Sequence, residues 1–199
     1  MLMLNKTSKV FIREKIRKIR QSLDEAEIIS KSREVEKNYY KSTEDEKIKN
    51  LLIYMAGSKE VQTKNIINAC IKKNIAVYLP AVDVLKGKIS FYRVYNINNE
   101  LEKGPFGICQ PKIDERNLLK DENTIDLVVV PGLAFDKRGG RIGSGKGFYD
   151  KFLASVPSCK SVIALAFEYQ IVDEITLSSH DISMDKIITE NRIISCRED

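Results

Sequence analysis

Between Ser8 and Leu23 apolar residues return every three or four positions, at Ile12, Ile16, Ile19 and Leu23. That spacing puts them on one face of a helix. Lys9, Arg13, Arg17 and Arg20 recur at the same spacing on an adjoining face, so four cations line up along it. A charge-rich second helix begins near Asp24 and runs toward Tyr40. The pattern then shortens. Asn50–Met55 is a short apolar strand. Val61–Lys73 is a helix with Ile66, Ile67, Cys70 and Ile71 on one side. Ile75–Leu79 is a strand that Pro80 should stop, and Lys88–Tyr95 alternates as a half-buried strand. Asp126–Val130 and Val162–Phe167 are near-continuous apolar runs, the pattern of strands covered on both faces. Gly147–Val156 reads as a helix between them, and Lys186–Thr189 as a last short strand.

Strands separated by helices predict an α/β architecture with a mostly parallel sheet, preceded by a helical N-terminal segment. In such sheets ligands sit beyond the carboxyl ends of the strands. The 199 residues suit one domain, 1–199, with a core of its own. No apolar run reaches the roughly 20 residues of a membrane helix, and the opening Met1-Leu2-Met3-Leu4 is too short for a signal-peptide core. Cys70, Cys109, Cys159 and Cys196 lie far apart, without CxxC spacing, so they read as reduced residues of an intracellular, cytoplasmic protein. The net charge of +5 is uneven: seven cations and one acid, Glu14, occupy the first twenty residues. Such a patch attracts phosphate, from nucleic acid or from a nucleotide.

The most informative stretch follows the run Asp126–Val130. Five of the ten glycines fall between Gly139 and Gly147, with Arg141 and Lys146 among them. Glycine lets backbone amides crowd an anion, and the helix N-terminus that follows adds a favourable dipole. Gly140 and Gly145-Lys146 match GxxxxGK, but Gly147 stands where a P-loop needs Ser or Thr for magnesium. The first glycine also lies several residues past the strand end. The reading is therefore a phosphate loop that is not a Walker site. Asp150, on the first turn of the next helix, suits either a helix cap or a magnesium ligand. Asp181 and Asp185 are candidates for a second carboxylate. His180, the single histidine, reads as structural. Glu60 follows a strand end and suits either a helix dipole or a ligand. Phe106, in KGPFGICQP, suits either a planar ligand or a local hydrophobic plug.

Laid out in order, these segments resemble the 5-formyltetrahydrofolate cyclo-ligase (5,10-methenyltetrahydrofolate synthetase) family over nearly the whole chain. The similarity runs through Lys9-x-x-x-Arg13 with Arg20 and Leu23, YMAGSKEVQT, KGPFGICQP, ALAFEYQIVDEI and HDISMDKIITE. It is most specific in LVVVPGLAFDKRGGRIGSGKGFYDKFL. The resemblance implies a three-layer α/β/α open sheet of the sugar-phosphate isomerase and CoA-transferase type. It implies conversion of 5-formyltetrahydrofolate and ATP to 5,10-methenyltetrahydrofolate, ADP and phosphate, with Mg²⁺. Lys9, Arg13, Arg141 and Lys146 would supply the catalytic cations. ATP would contact these with Gly143, Ser144, Gly145, Gly147, Phe148 and Tyr149. Met55, Glu60, Phe106 and Tyr149 would bind the folate, and Asp150 and Asp181 the metal. The expected partners are these small molecules, with no nucleic acid and no membrane, and the expected state is a monomer.

Two departures are mild: Phe148 stands where Tyr is common, and Gln110 where an acid is common. Three rivals make different demands. An RNA-associated protein would use the basic helix and show steeply salt-dependent binding, but leaves the glycine loop without a purpose. A phosphosugar isomerase or CoA-transferase-like enzyme would not need ATP. A divergent homologue would keep the signature and lack the activity.

Overall fold

The computed structural model describes residues 8–155, 161–177 and 182–196, except the Phe106 side chain. Two helices open the chain. Helix α1, Lys9–Ser22, starts at Ser8, whose Oγ accepts the Phe11 N–H at 3.2 Å. Helix α2, Glu25–Ser42, starts at Asp24, whose carboxylate accepts the Glu27 N–H at 2.7 Å. Such caps satisfy amides that the helix itself leaves unpaired. Strand β1 (Asn50–Ile53), helix α3 (Lys64–Lys72), strand β2 (Ala76–Asp83) and strand β3 (Lys88–Val94) follow. Next come the hairpin of β4 (Leu101–Lys103) and β5 (Cys109–Pro111), strand β6 (Leu127–Val130), and the hairpin of β7 (Ala134–Asp136) and β8 (Arg141–Ile142). Helix α4 (Phe148–Ser155) and strands β9 (Ser161–Leu165), β10 (Ile171–Val172), β11 (Lys186–Ile188) and β12 (Ile193–Ser195) complete the order.

The main sheet runs β12-β11-β9-β6-β1-β2-β3. Its inner pairs are parallel and its two edge strands, β3 and β12, antiparallel. Side chains alternate between two cores. Leu51, Ile53, Leu127, Val129, Ile163 and Leu165 face α2 and α3. Leu52, Val128, Val130, Val162 and Ala164 face α4 through Phe152 and Leu153. These are the three layers expected. Successive strands step outward from β1 to β2 and β3 on one side, and from β6 to β9 and β11 on the other. The connection therefore changes direction between β1 and β6, the place where such sheets open a crevice at their carboxyl ends.

Pro80 does not end β2, contrary to the sequence expectation; the strand continues to Asp83. Pro80 pairs with Phe91 of β3, and the Phe91 carbonyl points away to the Leu119 N–H. This is a pair without mutual hydrogen bonds, so the missing proline N–H falls on the side where β1 has already ended. Edge positions of this kind are where sheets tolerate proline. Val82, two residues on, finds a substitute partner: its N–H donates to Gln110 Oε1 at 3.2 Å.

Helix α1 does not lie on the main sheet. Its buried Ile12 and Ile16 pack on Ala134 and Ile142 of a small second sheet, ordered β10-β7-β8, and on Leu133 and Ile175 beside it. Burying each isoleucine contributes about 1.5–3 kcal/mol, enough to fix the helix against the β7–β8 hairpin. That docking aims the cationic face of α1 along the glycine loop.

Candidate active site

A cleft of about 310 Å³ opens at the carboxyl ends of β1, β2 and β6. Tyr54 and Met55 enter it after β1, and Pro131 to Leu133 after β6. Its apolar wall comes from Pro80, Val82, Ile89 and Ile108, and its polar end from the loop Gly143–Asp150.

The glycine-rich segment divides into two parts. Gly139 and Gly140 were expected to join the anion cradle, but they form the turn of the β7–β8 hairpin. Gly139 has φ +85° and a Cβ there would lie 2.9 Å from the Met184 N, overlapping its carbonyl as well. Gly140 gives its N–H to buried Asp136 at 2.8 Å, and the same carboxylate accepts Ile175 N–H at 2.7 Å. These glycines allow close packing. Gly143, Ser144, Lys146 and Gly147 line the cleft instead. The interposed hairpin also explains why this loop is no Walker site: a P-loop passes directly from strand to phosphate to helix.

Helix α1 holds the loop from outside. Arg13 Nε donates to the Gly143 carbonyl at 3.1 Å, and Arg17 Nη2 to the Ser144 carbonyl at 3.3 Å. Lys9, the first residue of the helix, is half-buried. With their carbonyls tied to arginine, Gly143 and Ser144 are fixed in orientation. Lys146 is exposed at the cleft. Gly145, next to it, is also exposed. Phe148 and Tyr149 begin α4 and line the cleft with Asp150, which occupies the first helical turn as expected.

Arg141 is deeper than a solvent-facing phosphate contact. Its side chain is 4 % exposed, its Nη2 pairs with Asp150 Oδ1, and its Nη1 donates to the Pro131 carbonyl at 3.2 Å. Burial raises the Tyr149 phenol pKa, the Glu60 charge adds to this, and nearby Arg141 opposes it. The Tyr149 hydroxyl is buried and has no hydrogen-bond partner among the described residues. A buried donor without a partner costs free energy, so this hydroxyl is suited to a ligand acceptor.

Glu60 is not a helix-dipole residue, because α3 starts only at Lys64. It sits in the turn after β1, where its Oε2 accepts the Gly57 N–H at 2.9 Å and its Oε1 pairs with Arg20 Nη1 at 3.6 Å. Met55, Glu60 and Tyr149 thus share the cleft. Phe106 belongs to the turn Pro105–Gly107 of the β4–β5 hairpin, whose Pro105 lines the cleft; its side chain lies outside the described residues.

Of the carboxylates considered for a metal, Asp150 is at the cleft and Asp181 lies outside the described residues, as does His180. Asp185 is excluded by position. Its Oδ2 accepts the Val162 N–H at 2.7 Å, at the amino ends of β9 and β11, the opposite end of the sheet. No group of three or more metal-ligating side chains occurs among the described residues. Arg20, Tyr54 and Gln110 also line the cleft, without a site assignment from sequence. Arg20 was visible as one member of the cationic stripe and as part of the opening-helix resemblance, without a role. Tyr54 closes a strand, its hydroxyl donating to the Val61 carbonyl at 3.1 Å. Gln110 appeared only as a departure from a common acid.

No helix among the described residues is long and apolar enough to cross a membrane. Comparison with known proteins identifies the family. A family model for the 5-formyltetrahydrofolate cyclo-ligase family matches residues 5–190. A Haemophilus influenzae 5-formyltetrahydrofolate cyclo-ligase is 28% identical over 186 residues, 93% of this chain and 99% of that protein. The mouse 5-formyltetrahydrofolate cyclo-ligase is 31% identical over 150 residues, 72% and 74% of the two chains. The solution structure of Aquifex aeolicus 5,10-methenyltetrahydrofolate synthetase superposes with a TM-score of 0.80 at 30% identity, covering 96% of this chain and 94% of that one. A Mycoplasma pneumoniae 5,10-methenyltetrahydrofolate synthetase, at 21% identity and a TM-score of 0.74 over 92% and 99%, shares the fold. With the family match spanning nearly the whole chain, the protein belongs to the 5-formyltetrahydrofolate cyclo-ligase family, a family of ligases.

Proposed function

We propose that the protein converts 5-formyltetrahydrofolate and ATP to 5,10-methenyltetrahydrofolate, ADP and phosphate, by phosphorylating the formyl oxygen. One observation carries this reading. A glycine loop bearing Lys146 and an apolar slot bearing Glu60 open into one cleft at the switch point of the sheet. Chemistry between a phosphorylated and a flat, mostly apolar substrate needs that juxtaposition.

The formamide oxygen is a poor leaving group. Transfer of the ATP γ-phosphoryl group to it forms an O–P bond, breaks the bond to ADP, and makes that oxygen a phosphate leaving group. The neighbouring folate amine then attacks the formyl carbon, closes the five-membered ring and expels phosphate, losing its proton. No side-chain nucleophile is required. The chain's task is positioning and charge neutralisation. Lys9, Arg13 and Lys146, with the amides of Gly143, Ser144, Gly145 and Gly147, would hold the phosphates. Arg141 would act from behind, fixing Asp150 and the start of α4. Phe148 and Tyr149 would flank the nucleotide end of the slot. Met55, the ring of Tyr149 and Phe106 would hold the pterin, and Glu60 would accept from its donor edge.

Asp150 fits a magnesium ion of the kind held by one or two carboxylates and phosphate oxygens: it faces the cleft, and among the described residues only its Oδ1 is engaged. Asp150, with Asp181 as the proposed second carboxylate, would hold Mg²⁺, which would neutralise phosphate charge. The protein would work as a cytoplasmic monomer without nucleic acid. A heavy-oxygen label in the formyl group tests the mechanism. The label should appear in inorganic phosphate; label retained in the folate product or lost to water would refute phosphorylation of the formyl oxygen.

A further inference from the structure

Arg20 is the third arginine of the α1 stripe, and it does not touch the phosphate loop. It lies seven residues beyond Arg13, about 10 Å along the helix axis. Its Nη2 donates to the Gly132 carbonyl at 3.1 Å, just past β6. Its Nη1 faces Glu60 Oε1 at 3.6 Å, just past β1. The two side chains are 18% and 21% exposed, so solvent screens the pair only in part. Arg20 therefore spans the two lips of the cleft, with one prong on each. Its planar fork suits two acceptors at once, which an ammonium group on a flexible stem does less well.

Glu60 needs such a brace. Its second oxygen takes the Gly57 N–H. Around it lie the phenols of Tyr54 and Tyr149, both raised in pKa by burial first and by the Glu60 charge second. Arg20 is the cation that offsets Glu60 beside Tyr54. Without it, one hydrogen bond from the described residues would remain to orient a carboxylate set among buried phenols.

We infer that Arg20 is a positioning residue for folate recognition: braced on the Gly132 carbonyl, its guanidinium sets the orientation of Glu60 in the cleft. This rests on the folate reading of the cleft given above. The role is separate from that of Arg13 and Arg17, which hold the loop proposed for ATP.

Steady-state kinetics of Arg20→Met, Arg20→Lys, Glu60→Gln and the double variant Arg20→Met/Glu60→Gln test the inference, with folate and ATP varied separately. Arg20→Met is expected to raise the folate KM about tenfold, the size of one charge-assisted interaction, and the ATP KM less than about twofold. Because Arg20 acts through Glu60, the double variant should be no worse than Glu60→Gln alone. Arg20→Lys keeps the charge without the fork and should raise the folate KM about threefold. A common rise in both KM values, or single effects that multiply in the double variant, would overturn the proposal. If Arg20→Met fails to fold, Arg20→Lys decides: a wild-type folate KM overturns it. Equilibrium binding of 5-formyltetrahydrofolate without ATP gives the same comparison independently of turnover. Arg20 variants that bind folate as tightly as wild type refute the positioning role. Tight folate binding by a wild-type protein with no turnover refutes the ligase reading alone.

Discussion

Replacing Gly139 by alanine should unfold the protein more readily than the same change at Gly147 in the cleft loop, while sparing catalysis in what remains folded. The added Cβ meets backbone, the carbonyl and the N of Met184, rather than a side chain able to turn aside. The same two residues are already joined, Met184 N–H donating to the Gly139 carbonyl at 2.9 Å. Separating them to relieve the overlap breaks that bond. Left-handed strain at φ +85° costs about 1–2 kcal/mol for a residue with a Cβ. A buried backbone bond lost with its partners unsatisfied adds about 1–3 kcal/mol. The sum, about 2–5 kcal/mol, corresponds to a melting temperature lower by roughly 5–15 °C for a chain of this size. Gly147 provides the control. It also has a left-handed φ, +68°, but no atom lies within 4 Å of its would-be Cβ. Gly147→Ala should therefore cost about 1–2 kcal/mol from strain alone, yet lower turnover, because its amide borders the cleft. Urea unfolding of both variants, with KM and kcat measured on the folded fraction, decides the matter. Equal stability losses, or a Gly139→Ala protein as stable as wild type, would refute the division of the glycine loop into a packing half and a site half.

Lys146→Ala should raise the ATP KM about tenfold or more, as expected for a lost phosphate contact. It should leave thermal stability nearly unchanged, because the side chain is exposed; unchanged ATP kinetics would remove Lys146 from the site. Alkaline pH should destabilise the fold through its tyrosines. Burial, with the Glu36 charge second, pushes Tyr40 up to about 12, and burial raises Tyr39 and Tyr54 as well. These phenols stay protonated in the fold while the unfolded chain ionises near pH 10. The stability they contribute is therefore complete below about pH 10 and is lost as pH rises toward about 12. Urea midpoints that stay level between about pH 9 and 11 would contradict this.

The central strands were legible because β1, β6 and β9 are covered on both faces, so each reads as an unbroken apolar run: Leu51–Ile53, Leu127–Val130, Val162–Leu165. β7, β8 and β10 were not, since two or three residues are too few to show a period. Missing that small sheet had a consequence for the site. Gly139 and Gly140 looked like cradle residues because nothing in the sequence shows a hairpin turning beneath Met184. The ends of β2 were misread for a related reason: whether Pro80 breaks a strand depends on which neighbour has already ended, and that is a property of the sheet. The cationic stripe of α1 was plain from its spacing. Its division of labour was not, because Arg13 and Arg20 differ only in what the fold sets before them: the Gly143 carbonyl for one, Glu60 and Gly132 for the other. Asp185 illustrates the converse. Four residues from Asp181 in sequence, it lies at the amino ends of the strands, because β11 begins immediately after it.

The most direct test of the central claim is spectrophotometric. The purified protein is mixed with 5-formyltetrahydrofolate, Mg²⁺ and ATP, and the near-ultraviolet band of the methenyl product is followed against a control without ATP. That band should grow only when ATP is present, with one ADP released per folate converted. Folded protein that yields no methenyl product, or that yields it equally without ATP, would contradict the claim.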